Sequence, residues 1–134
     1  MQIPHGTVIA LVDGEKFRLF RNSGNEAKPE LADMATPDLE GHNKSSGARH
    51  HSSSANPQGS LLEEDAHAAA VAEWLNGQVL GHKIDLLVVV APPRTLGELR
   101  KHYHRMTQEV LVCEIPKEML GRDGLELLNA LKDC

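Results

Sequence analysis

Hydrophobic residues fall in short blocks separated by polar turns, and the period of each block predicts its element. The most organised stretch is Ile84-Asp85-Leu86-Leu87-Val88-Val89-Val90-Ala91, apolar at almost every position and rich in β-branched residues. That pattern predicts a strand buried on both faces. Pro92 and Pro93 cannot donate ladder hydrogen bonds, so the strand ends there. Thr95 matches a helix N-cap, with Glu98 three residues on to complete a capping box. The expected unit is strand, rigid turn and helix, with Arg94 at the carboxyl end of a central strand, the edge where open α/β sheets bind ligands.

Before this unit, Thr7–Asp13 is apolar enough for another central strand, and Asp13-Gly14 is a hairpin signal. Lys16–Arg21 alternates as a half-exposed strand does. Asn22-Ser23-Gly24-Asn25 turns the chain into a short, charged edge strand over Glu30–Ala35. From Thr36 to Ser60 the composition shifts to Ser, Gly, Asn, His and Pro, which predicts a long mobile loop. Ser60-x-x-Glu63 opens a helix from Leu61 to about Val79, with Ala68, Val71, Ala72, Leu75 and Val79 inward and Trp74 flanking; Gly81 ends it. Leu96, Leu99, Tyr103 and Met106 recur at helical spacing after the prolines. Glu109–Ile115 reads as a further buried strand closed by Pro116. Asp123-x-x-Glu126 then caps a last helix with Leu125, Leu128 and Leu131 inward.

The order β-β-β-α-β-α-β-α, an opening meander followed by parallel crossovers, predicts an α/β domain with sheet order 3-2-1-4-5. This is a ribonuclease-H-like three-layer arrangement. The 134 residues suffice for one domain with a single core, spanning residues 1–134, with 36–60 as a loop within it. Scarce aromatics make that core aliphatic. No stretch reaches the roughly 20 apolar residues of a membrane span. The first residues show no basic region ahead of a long apolar one, so no secretory signal is expected. Cys113 reads as a buried core thiol and Cys134 as unrelated to it, which predicts no disulfide framework and fits a reducing cytoplasm.

The net charge of −5 argues against a generally basic nucleic-acid binder. A two-metal nuclease needs converging carboxylates. Asp13 is well placed for one, but Ala91-Pro92 stands where a second acid belongs, so Asp13 reads first as a turn residue. His42, His50 and His51 fall in the polar loop and His102 and His104 diverge on a helix, so no metal site is expected. No cofactor motif is present. The local exception to the acidic balance is Arg94, Arg100, Lys101, His102, His104 and Arg105, six basic residues near Glu98. Such a cluster is either a solvated helix face or a phosphate-contacting one. Arg94 and Thr95 stand out because two prolines fix the backbone and the next helix offers its N-terminus to an anion.

Ile3-Pro4-His5-Gly6-Thr7, Val12-Asp13-Gly14-Glu15-Lys16, Glu114-Ile115-Pro116-Lys117-Glu118 and above all Val90–Arg100 resemble the bacterial host attachment protein family. These proteins, also called proteins required for attachment to host cells, are relatives of the archaeo-eukaryotic peptide-chain release factors. The resemblance implies the fold of the release-factor middle domain and contact with ribosomes or transfer RNA. In release factors a Gly-Gly-Gln loop before the first helix drives peptidyl-tRNA hydrolysis. The corresponding loop here has only Asn56-Pro57-Gln58-Gly59, and Gly77-Gln78 sits at the far end of a helix, so hydrolysis is not carried over.

The expectation is a cytoplasmic, non-enzymatic binding module for the ribosome, tRNA or structured RNA. Arg94, Thr95, Arg100, Lys101, His104 and Arg105 are its candidate contacts, with Asp13 nearby. Two alternatives remain. One is a hydrolase of an RNA ester or phosphodiester built on Asp13 and the loop. The other is a protein-interaction domain of the attachment pathway docking on the edge strand.

Overall fold

The computed structural model describes residues 3–39, 57–122 and 124–134. It contains β1 (Val8–Val12), β2 (Phe17–Asn22), β3 (Leu31–Met34), α1 (Pro57–Leu80), β4 (Leu87–Val90), α2 (Pro93–Arg100), α3 (Arg105–Val110), β5 (Leu111–Ile115) and α4 (Gly124–Leu131). The five strands form one mixed sheet in the order β3-β2-β1-β4-β5, as the element order predicts. β1 pairs antiparallel with β2 and parallel with β4, while β2–β3 is antiparallel and β4–β5 parallel.

Side chains alternate across the pleat and so build two cores. On one face Val8, Ala10, Val12, Leu87 and Val89 meet Ala68, Val71, Ala72, Leu75 and Val79 of α1 and Leu96 and Leu99 of α2. On the other, Ile9, Leu11, Val88 and Val90 meet Leu127, Ala130 and Leu131 of α4. All four residues of β4 are buried, so the central strand carries apolar side chains on both faces. The alanines of α1 keep its axis near the sheet. Trp74 stands beside that stripe with its ring edge-on to Phe17, 5.8 Å between centroids.

Several local expectations are corrected. Helix α1 starts at Pro57, so the backbone of residues 57–60 is already helical and the helix opens three residues before the expected start at Ser60. The rest of the expected loop, with His42, Lys44, Arg49, His50 and His51, lies outside the described residues apart from residues 36–39, as does the Asp123 cap. Helix α2 starts at Pro93 with Pro92 as N-cap and no side-chain cap. Proline suits N1 because its missing N–H has no partner there, so Thr95 falls inside the helix and is buried rather than capping.

The helix after the prolines is not continuous. Asn76 of α1 donates through Nδ2 to the His102 carbonyl, and its Oδ1 accepts from the His104 N–H and the Thr107 hydroxyl at 2.8 and 2.7 Å. One amide thus satisfies the backbone where α2 stops and α3 begins, and the helical register resets. Thr107 takes the inward place expected of Met106, which is exposed. Val110 and Glu109 finish α3, and β5 starts only at Leu111. In α4 the inward positions are Leu127, Ala130 and Leu131, with Leu128 at their margin; Leu125 faces out.

The pairing of β5 with β4 skips Val112: Leu87 faces Leu111, but Val88 faces Cys113 and Val89 faces Glu114. This β-bulge directs Cys113 toward the α4 side and Glu114 toward the α2 side. Cys113 and Cys134 are joined by a disulfide across 5.6 Å between Cα atoms. The expectation of two unrelated thiols is therefore wrong: α4 returns the chain to the sheet and brings Cys134 to the bulge.

Two turns show what glycine supplies. Gly6 has φ of +86°, a conformation costly for other residues, and its N–H donates to the Asn22 carbonyl. Gly14 is not left-handed. A Cβ there would come within 2.8 Å of the Glu64 side chain, so its value is close approach to α1. Helix α1 ends with His82, not Gly81, in the left-handed region.

Candidate nucleic-acid interface

The sheet order reverses between β1 and β4, the arrangement that opens a crevice at the carboxyl ends of parallel strands. Asp13 follows β1 there and Pro92–Arg94 follow β4, with the first half of α1 alongside. Asp13 Oδ1 accepts from the Glu15 and Lys16 amides at 2.8 and 2.7 Å, so its carboxylate closes the β1–β2 turn. Among the described residues no group of three or more His, Cys, Asp or Glu side chains is placed to hold a metal ion.

Arg94 leaves the proline corner and donates through Nη2 to Asp65 Oδ1 of α1 at 2.8 Å; its side chain is half exposed. Arg100 forks onto Glu114 of β5, with Nε and Nη2 at 3.1 and 3.0 Å from Oε1. That hydrogen-bonded carboxylate holds the guanidinium more firmly protonated than usual. Lys101 Nζ lies 2.6 Å from Glu98 Oε1 and holds the Glu98 carboxyl below its ordinary range through that hydrogen bond. Arg105 is the most loosely held, 3.9 Å from Glu109. His104 caps α3, its Nδ1 accepting from the Met106 amide at 3.0 Å.

The twelve-residue cluster therefore does not converge on one point. Arg94 is tied to Asp65 and His104 to Asn76, eleven residues apart on α1, or about 16 Å along its axis. Thr95 faces the core and Tyr103 is buried with it, its phenol pKa pushed up first by desolvation and then by Glu114. What the structure assembles is a row of four exposed cations along α2 and α3, spread from the flank that meets α1 to the one that meets β5, each beside one carboxylate. The only acid visible within the basic stretch is Glu98; Asp65, Glu109 and Glu114 arrive from α1, α3 and β5.

The model of the bacterial archaeo-eukaryotic release factor family 12 matches residues 6–131. The chain belongs to this release-factor family. A comparison with curated proteins returns no match. In this family-12 member the matched segment takes in all five strands and the whole cation row. Among the described residues no helix is long and apolar enough to cross a membrane.

Asp65, Asn76 and Glu114 are the residues of this surface that sequence patterns do not connect with the basic stretch. A polar residue on an otherwise alanine-rich helix face is the one available hint for Asn76. Glu114 sits in an apolar run, and an acid flanked by Cys113 and Ile115 calls for a cation opposite.

Proposed function

We propose that this release-factor relative is a non-enzymatic binding module of the translation apparatus, engaging structured RNA of the ribosome or tRNA through the cation row along α2 and α3. One observation carries the reading. The side chains of Arg94, Arg100, Lys101 and Arg105 are 50, 57, 66 and 86 % exposed, along a surface whose first guanidinium is aimed by two prolines. Their carboxylate partners form surface ion pairs with them, each individually weak. A phosphate presents a guanidinium with the same forked acceptor geometry and exchanges for a carboxylate at little cost.

Membership in a release-factor family supports a role in translation, and that role is the ground for reading the protein as cytoplasmic. The segments Ile3–Thr7 and Val90–Arg100 support placing it in the branch named for attachment to host cells. The test is co-sedimentation with ribosomes and retention of tRNA across a salt series. Wild type is expected to bind at low salt, and the triple variant Arg94→Ala, Arg100→Ala, Arg105→Ala to bind more weakly. The variant's salt slope should be shallower by about one unit per lost phosphate contact. Failure of wild type to bind either RNA at low salt removes the reading.

A further inference from the structure

We infer that the Cys113–Cys134 disulfide is a redox latch that holds α4 on the second face of the sheet. The inference does not depend on what the cation row binds. Helix α4 has eight residues, well short of the roughly 12–15 at which an isolated helix becomes marginally stable. It therefore depends on its anchors. Three buried side chains, Leu127, Ala130 and Leu131, seat it on Ile9, Leu11, Val88 and Val90. One covalent bond, placed just beyond its last turn, ties it to the edge strand.

The bulge at Val112 supplies the other half of the latch, since it is what turns Cys113 toward α4. Cys113 is partly buried and Cys134 buried, so the Cys113 end is the more exposed side of the bond. The connection from β5 and helix α4 also form the two walls of an open groove of about 580 Å³. Lys117, Met119 and Arg122 line it from the connection, and Glu126, Asn129 and Asp133 from α4 and the residues just after it. Holding α4 in place holds this groove open.

The step balances with a dithiol reductant, of the small-molecule or thioredoxin-like class. A thiolate of the dithiol attacks Cys113 Sγ, the Cys113–Cys134 bond breaks and Cys134 leaves as thiolate. The dithiol's second thiol then resolves the mixed disulfide. Two electrons and two protons pass to the chain, which gains two thiols while the reductant becomes a disulfide. In a reducing compartment a disulfide of this kind is transient and redox-sensing rather than permanent.

The experiment compares the full chain oxidised with glutathione disulfide and reduced with dithiothreitol. Free thiols are titrated after denaturation, and amide hydrogen exchange is followed in both states. The oxidised chain should show no free thiol and the reduced chain two. Reduction should speed exchange in residues 124–134 by about ten-fold or more and free it from the global-unfolding rate that β1 and α1 continue to follow. Fluorescence of Trp74, on the opposite face, should stay constant, and Cys134→Ser should behave as the reduced chain without any reductant. Two titratable thiols after oxidation would overturn the latch. So would unchanged exchange in α4 on reduction, or loss of the Trp74 signal, which would mean that the bond staples the whole fold rather than one helix.

Discussion

Arg94 donates to Asp65 across 2.8 Å, so the guanidinium that the two prolines aim outward is shared with a carboxylate twenty-nine residues earlier in the chain. The pair is half exposed and joins α2 to the first half of α1 at the carboxyl edge of the sheet. Its small strength is what matters for binding. Asp65 keeps Arg94 in place without withdrawing it from solvent, and competes with any phosphate that approaches.

Replacing Asp65 with Asn should therefore release Arg94 for RNA. Affinity for ribosomes or tRNA at low salt is expected to rise a few-fold, while folding stability falls by less than about 1 kcal/mol. Glu26→Gln, an exposed site on the β2–β3 loop, controls for the change in net charge and should leave affinity near wild type. Filter binding of labelled tRNA to the two variants separates the local from the general effect.

Asn22 is expected to be among the most sensitive positions in the chain. It is fully buried, its Nδ2 faces the carbonyls of Ile3, Pro4 and Asn25, and its Oδ1 accepts from the Gly24 and Glu30 amides. Asn22→Ala leaves those groups without partners and should lower stability by about 3 kcal/mol. A lowered urea midpoint with an unchanged slope would identify the loss as one of native-state stability.

Tyr103 is the chain's single tyrosine, and its buried hydroxyl has no hydrogen-bond partner among the described residues. Burial raises its folded-state pKa above the value of about 10 found in the unfolded chain. The sign follows from linkage: its contribution is fully present below pH ~10 and is lost as pH rises further, because only the unfolded state gives up the proton. Phenolate absorbance should therefore appear together with alkaline unfolding rather than before it. Tyr103→Phe should remove this tyrosine-linked part of the alkaline loss and leave neutral-pH stability unchanged or about 1 kcal/mol higher, since an unpartnered hydroxyl leaves the core.

Cleaving the disulfide should also register as global stability. The bond joins residues 21 apart, and closing a loop of that length constrains the unfolded chain by about 3 kcal/mol in the chain-entropy account. Urea unfolding of oxidised and reduced protein, followed by Trp74 fluorescence, measures the difference directly.

The strands and their order are legible from the sequence because they rest on local signals: apolar runs, period-two alternation and proline stops. The sheet order follows from element order alone. What escapes is set by contacts distant in sequence. Nothing near Met106 announces that Asn76 will satisfy the backbone at His102 and His104 and rotate Thr107 inward. Nothing near Arg94 or Arg100 announces Asp65 or Glu114. The same holds for the cysteines, whose meeting depends on a one-residue bulge and on α4 turning back. Gly81 reads as the helix terminator on propensity, yet His82 takes the left-handed position.

The single surplus residue in β5 has one more consequence. A bulge twists the outermost strand and breaks the regular spacing of its free amide and carbonyl groups, so a passing extended chain finds no continuous template to zip onto. The border of the sheet beside the cystine is thus guarded against accidental strand addition, and self-association along it should be rare even at high protein concentration.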